Sequence, residues 1–66
     1  RYAASFAAHG YGRMLVETVI DRARRYFTAL NTRAPQDAFG FYERLGFRRV
    51  EGEEFVTHRM RFGKGN

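Results

Sequence analysis

The sequence predicts an α/β fold (α+β by some conventions), in which a mixed β-sheet packs with two helices. An amphipathic helical pattern covers residues 12–27, a second one follows Pro35, and short β-prone stretches lie between and after them. The predicted order is strand, helix, strand, helix, strand, strand, with the last two strands antiparallel. We expect a single domain over residues 1–66, as part of a longer protein, because no pair of strands opens the chain as one closes it.

The first helix is predicted from the spacing of its apolar residues, which share one arc at about 100° per residue. Those residues are Leu15, Val16, Val19, Ile20, Ala23, Tyr26 and Phe27. Charged residues occupy the other arc, and Arg24 and Arg25 suit the negative pole of the helix dipole.

The remaining elements are shorter and are bounded by turn-forming residues. Pro35 suits the first turn of the second helix, where its missing N–H costs nothing, and Gly46 is a natural C-terminal stop. Strands are predicted over residues 1–6, 27–33, 47–50 and 55–62, with an acidic surface turn at Glu51, Glu53 and Glu54. The predicted core includes Leu15, Val19, Ala23, Leu30, Phe41, Leu45, Phe47, Val56 and Met60.

The composition restricts the classes of function. The net charge is +5, and nearly all of the 12 cationic residues are arginine. This favours an anionic partner, with a solvated basic surface as the alternative. The arginines are scattered and no nucleic-acid-binding signature is present, so nucleic acid is an unlikely partner. Two histidines and no cysteine make no metal-ligand set, and without a long apolar run or a leader pattern we expect a soluble, cytoplasmic protein with no membrane partner.

Two glycines stand immediately before the first helix, in the stretch "HGYGRM". They have two interpretations: a plain tight turn with a glycine N-cap, or a loop that lets an anion approach the backbone. In the second case the donors are the first N–H groups of the helix and its loop. These belong to Gly10, Tyr11, Gly12, Arg13 and Met14.

A second motif, "FYERLGF", lies about 30 residues further along the chain. Together, "GYGRMLVETVIDRAR", "ALNT" and "AFGFYERLGFRRV" resemble the GNAT superfamily of N-acetyltransferases. The resemblance covers residues 3–62 and corresponds to the C-terminal half of such an enzyme. It implies transfer of an acetyl group from acetyl-coenzyme A (acetyl-CoA), the co-substrate, to an amine acceptor, or at least binding of acetyl-CoA.

The resemblance also implies a cofactor site around the glycines. Gly10 and Gly12 match the family's loop, whose amides would hold the pyrophosphate of acetyl-CoA, while Arg13 would attract its 3′-phosphate end. Ala7 departs from the Gln or Arg of the family pattern, and His9 is the nearest polar substitute. The strand over residues 2–5 would pair through its backbone with the pantetheine arm.

Two further residues acquire roles from the resemblance. In the family an asparagine after the next strand commonly contacts the cofactor, and Asn31 is the nearest candidate for that contact. Tyr42 matches a tyrosine that acts as general acid toward the leaving thiolate; the alternative from the residues alone is a core tyrosine. His58 is expected to be a packed strand residue and not a base, and a solvated face is expected for Glu43, Arg44, Arg48 and Arg49.

A non-catalytic module is the alternative function. Such a module, derived from a truncated acetyltransferase, would bind coenzyme A or associate with itself without performing chemistry. Exposed strand edges favour self-association, so a homodimer is a possible state.

Overall fold

A computed structural model describes residues 3–7 and 12–63. These residues form an α+β fold with the predicted element order, which confirms the predicted fold class. The elements are β1 (Ala3–Ala7), α1 (Arg13–Ala23), β2 (Ala29–Arg33), a 3-10 turn (Gln36–Ala38), α2 (Phe39–Leu45), β3 (Arg48–Arg49) and β4 (His58–Arg61).

The strands form one mixed four-stranded sheet within the described residues, in the order β1-β2-β4-β3. β1 and β2 are parallel, so the connection between them crosses over through α1. β4 runs antiparallel to both β2 and β3, which confirms the predicted antiparallel pairing of the last two strands. Thr32 lies opposite Phe6 on one side and His58 on the other.

The two faces of the sheet differ because side chains alternate along each strand. One face, which we call the helix face, carries Phe6, Leu30 and Met60, and these pack with residues of α1 and α2 in a single core. The opposite face, which we call the arginine face, bears Arg48, Arg59 and Arg61. No described helix packs against the arginine face.

The core lies between the helix face and the inner surfaces of the helices. Val16, Ile20 and Ala23 of α1 are buried at helical spacing, so they form its inner stripe. Predicted core residues Ala23, Leu30 and Phe47 are buried, whereas Val19, Phe41, Leu45 and Met60 are partly buried against that core and Val56 is half-buried. Leu15 was wrongly assigned to the core.

Leu15 faces away from the core for a geometric reason. Leu15 is 49% exposed, because the stripe centred on Val16 and Ile20 turns the preceding residue away from the sheet. The helix also ends earlier than predicted. The amides of Tyr26 and Phe27 both donate to the carbonyl of Ala23, at 3.0 and 2.9 Å, which closes the helix in a turn and leads the chain into β2.

Gly46 ends α2 as predicted. Its φ of 111° is left-handed, and its amide donates to Glu43 O at 3.1 Å. This is a conformation that residues with a β-carbon rarely adopt, so the fold itself requires glycine here.

Candidate functional site

The first turn of α1 is open to solvent and has no side-chain cap. Gly12 is the N-cap, and its carbonyl accepts the first helical hydrogen bond, from Val16 N at 3.2 Å. The N–H groups of Arg13, Met14 and Leu15 therefore have no hydrogen-bond acceptor within the helix. No acidic side chain lies in this turn to balance the positive end of the helix dipole, and the side chain of Met14 is 80% exposed.

The conformation of Gly12 does not require glycine. Its φ of −77° and ψ of 167° are open to any residue, and a β-carbon built there would have no neighbour within 4 Å. Glycine is also an accepted N-cap, so the turn alone is compatible with this residue. Gly10 and Tyr11, the other predicted loop donors, lie outside the described residues, as does His9.

A cavity opens between the first turn of α1 and the outer side of α2. It has a volume of about 320 Å³ and is lined by Arg13, Phe41, Arg44 and Leu45. Arg13 also pairs with Glu17, Nε to Oε2 at 3.1 Å, while remaining largely exposed. The cavity therefore offers two guanidinium groups beside an apolar surface.

Tyr42 lies in the core, with only 2% of its surface exposed. Its ring packs edge-on against Phe41 and Phe47, at centroid distances of 5.1 and 5.3 Å. Phe6 of β1 lies 6.3 Å away, so the tyrosine contacts the strand that leads toward the glycine loop. The ring is thus a packing residue, whatever its hydroxyl does.

Asn31 lies within β2, as the predicted strand over residues 27–33 implied, and on the arginine face. Its Oδ1 accepts a hydrogen bond from Arg59 Nε at 2.6 Å. The structure therefore separates the predicted site residues: Gly12 is at a helix end, Tyr42 is in the core, and Asn31 is on the far face of the sheet. A cofactor contact by Asn31 would use its amide nitrogen.

β1 is paired with β2 along its whole described length, from Ala3 opposite Ala29 to Ala7 opposite Arg33. The backbone groups of β1 that point toward β2 are consequently used in the sheet. A pantetheine arm that pairs with this strand has to use its other edge.

A buried polar network that sequence reasoning missed joins α2 to β4. His58 is fully buried, and its two ring nitrogens lie 2.9 Å from Glu43 Oε2 and 2.9 Å from Thr57 Oγ1. A carboxylate only accepts, so His58 Nε2 donates to Glu43. Thr57 Oγ1 in turn accepts from Ala34 N at 2.9 Å.

Glu43 is the solvent-facing end of this network. The hydrogen bond from His58, followed by the charge of Arg49 at 3.6 Å, holds the pKa of Glu43 below its ordinary value despite some opposing desolvation. Glu43 was expected on a solvated face, and it is half-exposed but has two partners. The alternation of β4 does place His58 inward, and a buried imidazole needs such partners.

The comparisons with known proteins decide the family. A family model described as an acetyltransferase (GNAT) domain matches residues 3–64, which covers every described element from β1 to β4. The chain belongs to the GNAT acetyltransferase family. No curated protein and no solved structure matches it.

The GNAT assignment makes acyl transfer the general activity of the family to which this domain belongs. Within the described residues, no group of histidine, cysteine, aspartate and glutamate side chains has the arrangement of a metal site. Within the same residues, none of the helices has the length and apolar character needed to cross a membrane.

Proposed function

We propose that this GNAT domain binds acetyl-CoA at the first turn of α1 and transfers the acetyl group to an amine acceptor. The observation that carries the proposal is the first turn of α1, where Gly12 is an N-cap without a side-chain cap and the amides of Arg13 and Met14 have no acceptor within the helix. Neither the backbone angles nor the packing require glycine at that position. Close approach of a pyrophosphate to the backbone would require glycine there.

The surroundings of the turn support an anionic ligand with an apolar part. The cavity beside Arg13 and Arg44 contains Phe41 and Leu45, so the phosphates and the adenine of coenzyme A have partners of suitable chemistry. Gly10 and Tyr11 complete the proposed loop on the amino-terminal side of Gly12. Asn31 is proposed as a cofactor contact through its amide nitrogen.

The proposed chemistry is amine attack on a thioester. The amine nitrogen bonds to the carbonyl carbon, the carbon–sulfur bond breaks, and the thiolate leaves with the electron pair. Tyr42 donates its phenolic proton to that sulfur, and the proton lost from the attacking nitrogen as the amide forms restores the phenol. Since Tyr42 is almost fully buried, the sulfur has to approach the edge of the aromatic cluster beside Phe6.

A second candidate function is a module that binds coenzyme A or a second copy of the chain without catalysis. The burial of Tyr42 among three phenylalanine rings favours it, because such a tyrosine is explained by packing alone. The two functions differ in turnover and not in cofactor binding. An assay of acetyl-CoA turnover therefore separates them.

The binding site is tested with Gly12→Val. Valine can adopt the extended angles of Gly12, and a β-carbon there has no described neighbour within 4 Å, so the variant should remain folded. We expect the affinity for coenzyme A, measured by calorimetry, to fall at least tenfold, which corresponds to about 1.4 kcal/mol of binding free energy. The valine side chain would keep the pyrophosphate away from the backbone amides.

The matched control is Gly63→Val. Gly63 is also exposed, and a β-carbon there also has no neighbour within 4 Å. Its replacement should leave the affinity unchanged. A folded Gly12→Val variant with the affinity of the parent chain would refute binding at this turn.

A further inference from the structure

The arginine face gathers positive charge on two neighbouring strands. Arg48 of β3 lies directly opposite Arg59 of β4, and Arg61 follows two residues later on the same face. These three residues line a cavity of about 370 Å³, together with Gly46, Arg49 and Val50. We call it the arginine cavity.

The fold neutralises only part of this charge. Arg59 donates to Asn31 Oδ1 at 2.6 Å and to Glu53 Oε2 at 3.0 Å, which holds its guanidinium in one orientation with 23% of the side chain exposed. Neither Arg48 nor Arg61 forms an ion pair with a described residue, and both are exposed. Arg49, the fourth arginine of the cavity, pairs with Glu43 at 3.6 Å. The cavity thus combines two paired guanidinium groups with two that have no acidic partner in the described part of the chain.

The arrangement is unfavourable without a counter-charge. Like charges directly opposite on an antiparallel pair destabilise a sheet. A multiply charged anion between Arg48, Arg59 and Arg61 would remove that repulsion. Guanidinium groups match phosphate oxygens in a bidentate geometry that water or chloride cannot reproduce.

The arginine cavity is separate from the first turn of α1. Arg61 pairs with Ala29, which in turn pairs with Ala3, so this end of the sheet holds the amino ends of β1 and β2. α1 follows the carboxyl end of β1, at the opposite end of the strands. The cavity also lies on β3 and β4, whereas β1 is at the other edge of the sheet.

We propose that the arginine cavity is a second anion site, which binds the phosphate or pyrophosphate group of a small molecule. It does not depend on the first turn of α1; it touches the proposed acetyl-CoA contacts only where Arg59 bonds to Asn31. Its volume falls within the range of small-ligand pockets, and three of its four arginines, Arg48, Arg59 and Arg61, suit a ligand with two or more negative charges.

The test is a titration of the chain with inorganic pyrophosphate at constant ionic strength. Calorimetry gives the affinity, and the NMR signals of the arginine Nε–H groups show which guanidinium groups respond. We expect saturable shifts of Arg48, Arg59 and Arg61. Arg48→Gln and Arg61→Gln should each lower the affinity for pyrophosphate at this site about tenfold, the effect of losing one charge-assisted hydrogen bond.

Two further variants make the result specific. Arg25→Gln removes the same charge from an exposed turn after α1, and should leave the affinity unchanged. Gly12→Val alters the first turn of α1, and should leave the shifts of Arg48 and Arg61 unchanged.

Three outcomes would overturn the proposal. One is an equal loss of affinity in Arg25→Gln and Arg61→Gln, which would indicate diffuse attraction by the net charge. Another is loss of the Arg48 and Arg61 shifts in Gly12→Val, which would assign the anion to the glycine turn. The third is the absence of saturation with pyrophosphate while duplex DNA binds, which would indicate a nucleic-acid surface.

Discussion

The hydroxyl of Thr57 joins three elements of the fold, and its removal tests the buried network. Its oxygen accepts from Ala34 N at 2.9 Å and lies 2.9 Å from His58 Nδ1. Thr32 O lies 3.3 Å from the same oxygen. Thr57→Val keeps the branched shape and the strand preference of the side chain but removes every one of these contacts.

The expected loss of stability is large for a chain of this size. Ala34 and His58 are buried, so the variant leaves an amide N–H and a ring nitrogen without a partner. Each such group costs about 1–3 kcal/mol, which gives a loss of roughly 2–4 kcal/mol if the site partly relaxes. A domain of this length has a total stability of about 3–10 kcal/mol, so the variant should lose a large part of it.

Urea unfolding followed by far-UV circular dichroism measures this loss, and Thr18→Val is the matched control. Thr18 is exposed, and its hydroxyl bonds only to Met14 O, one turn earlier in α1. The control should change stability by no more than about 0.5 kcal/mol. Equal unfolding midpoints for the two variants would refute the reasoning, because the network would then contribute no more than a surface hydroxyl.

Two other predictions concern the neighbours of this network. Tyr42→Phe, measured in an enzyme that turns over acetyl-CoA, should lower the turnover number by about 10²-fold with little change in cofactor affinity; equal turnover would leave Tyr42 as a packing residue. The pKa of Glu43 is lower in the folded chain than its ordinary value of 4.5, so the ionised carboxylate stabilises the fold at pH values above 4.5. That stabilisation is lost as the pH falls through the lower folded-state pKa. The difference in urea midpoint between the parent chain and Glu43→Gln should therefore shrink below about pH 4.5, and a constant difference from pH 7 to pH 3 would contradict the assignment.

Features set by local stereochemistry could be predicted from the sequence. The two helices and the stop at Gly46 follow from periodicity and turn residues within a few positions. Leu15 shows the limit of prediction from local sequence patterns. Its apolar neighbours define an arc, but the sheet decides which part of that arc faces inward, and it selected Val16 and Ile20.

Features set by contacts between distant elements could not be predicted. The partners of His58 come from Glu43 on α2 and from the adjacent Thr57, and only the docking of α2 on the sheet brings Glu43 within reach. Asn31 is a similar case. Its position in a strand could be predicted, whereas its side of the sheet and its bond to Arg59 depend on the pairing of β2 with β4.

Gly12 and Gly46 show how the same residue type can carry opposite meanings. Gly46 has a left-handed φ of 111°, and a β-carbon there would lie 3.4 Å from Met60 Cε, so the fold accounts for it completely. Gly12 has ordinary extended angles and open space around it. A substitution at Gly46 should therefore lower stability, whereas Gly12→Val should leave the fold intact, since valine also reduces the freedom of the unfolded chain. Loss of coenzyme A binding in a folded Gly12→Val variant would thus report on the ligand alone, and this separation makes Gly12 the most informative position in the proposed site.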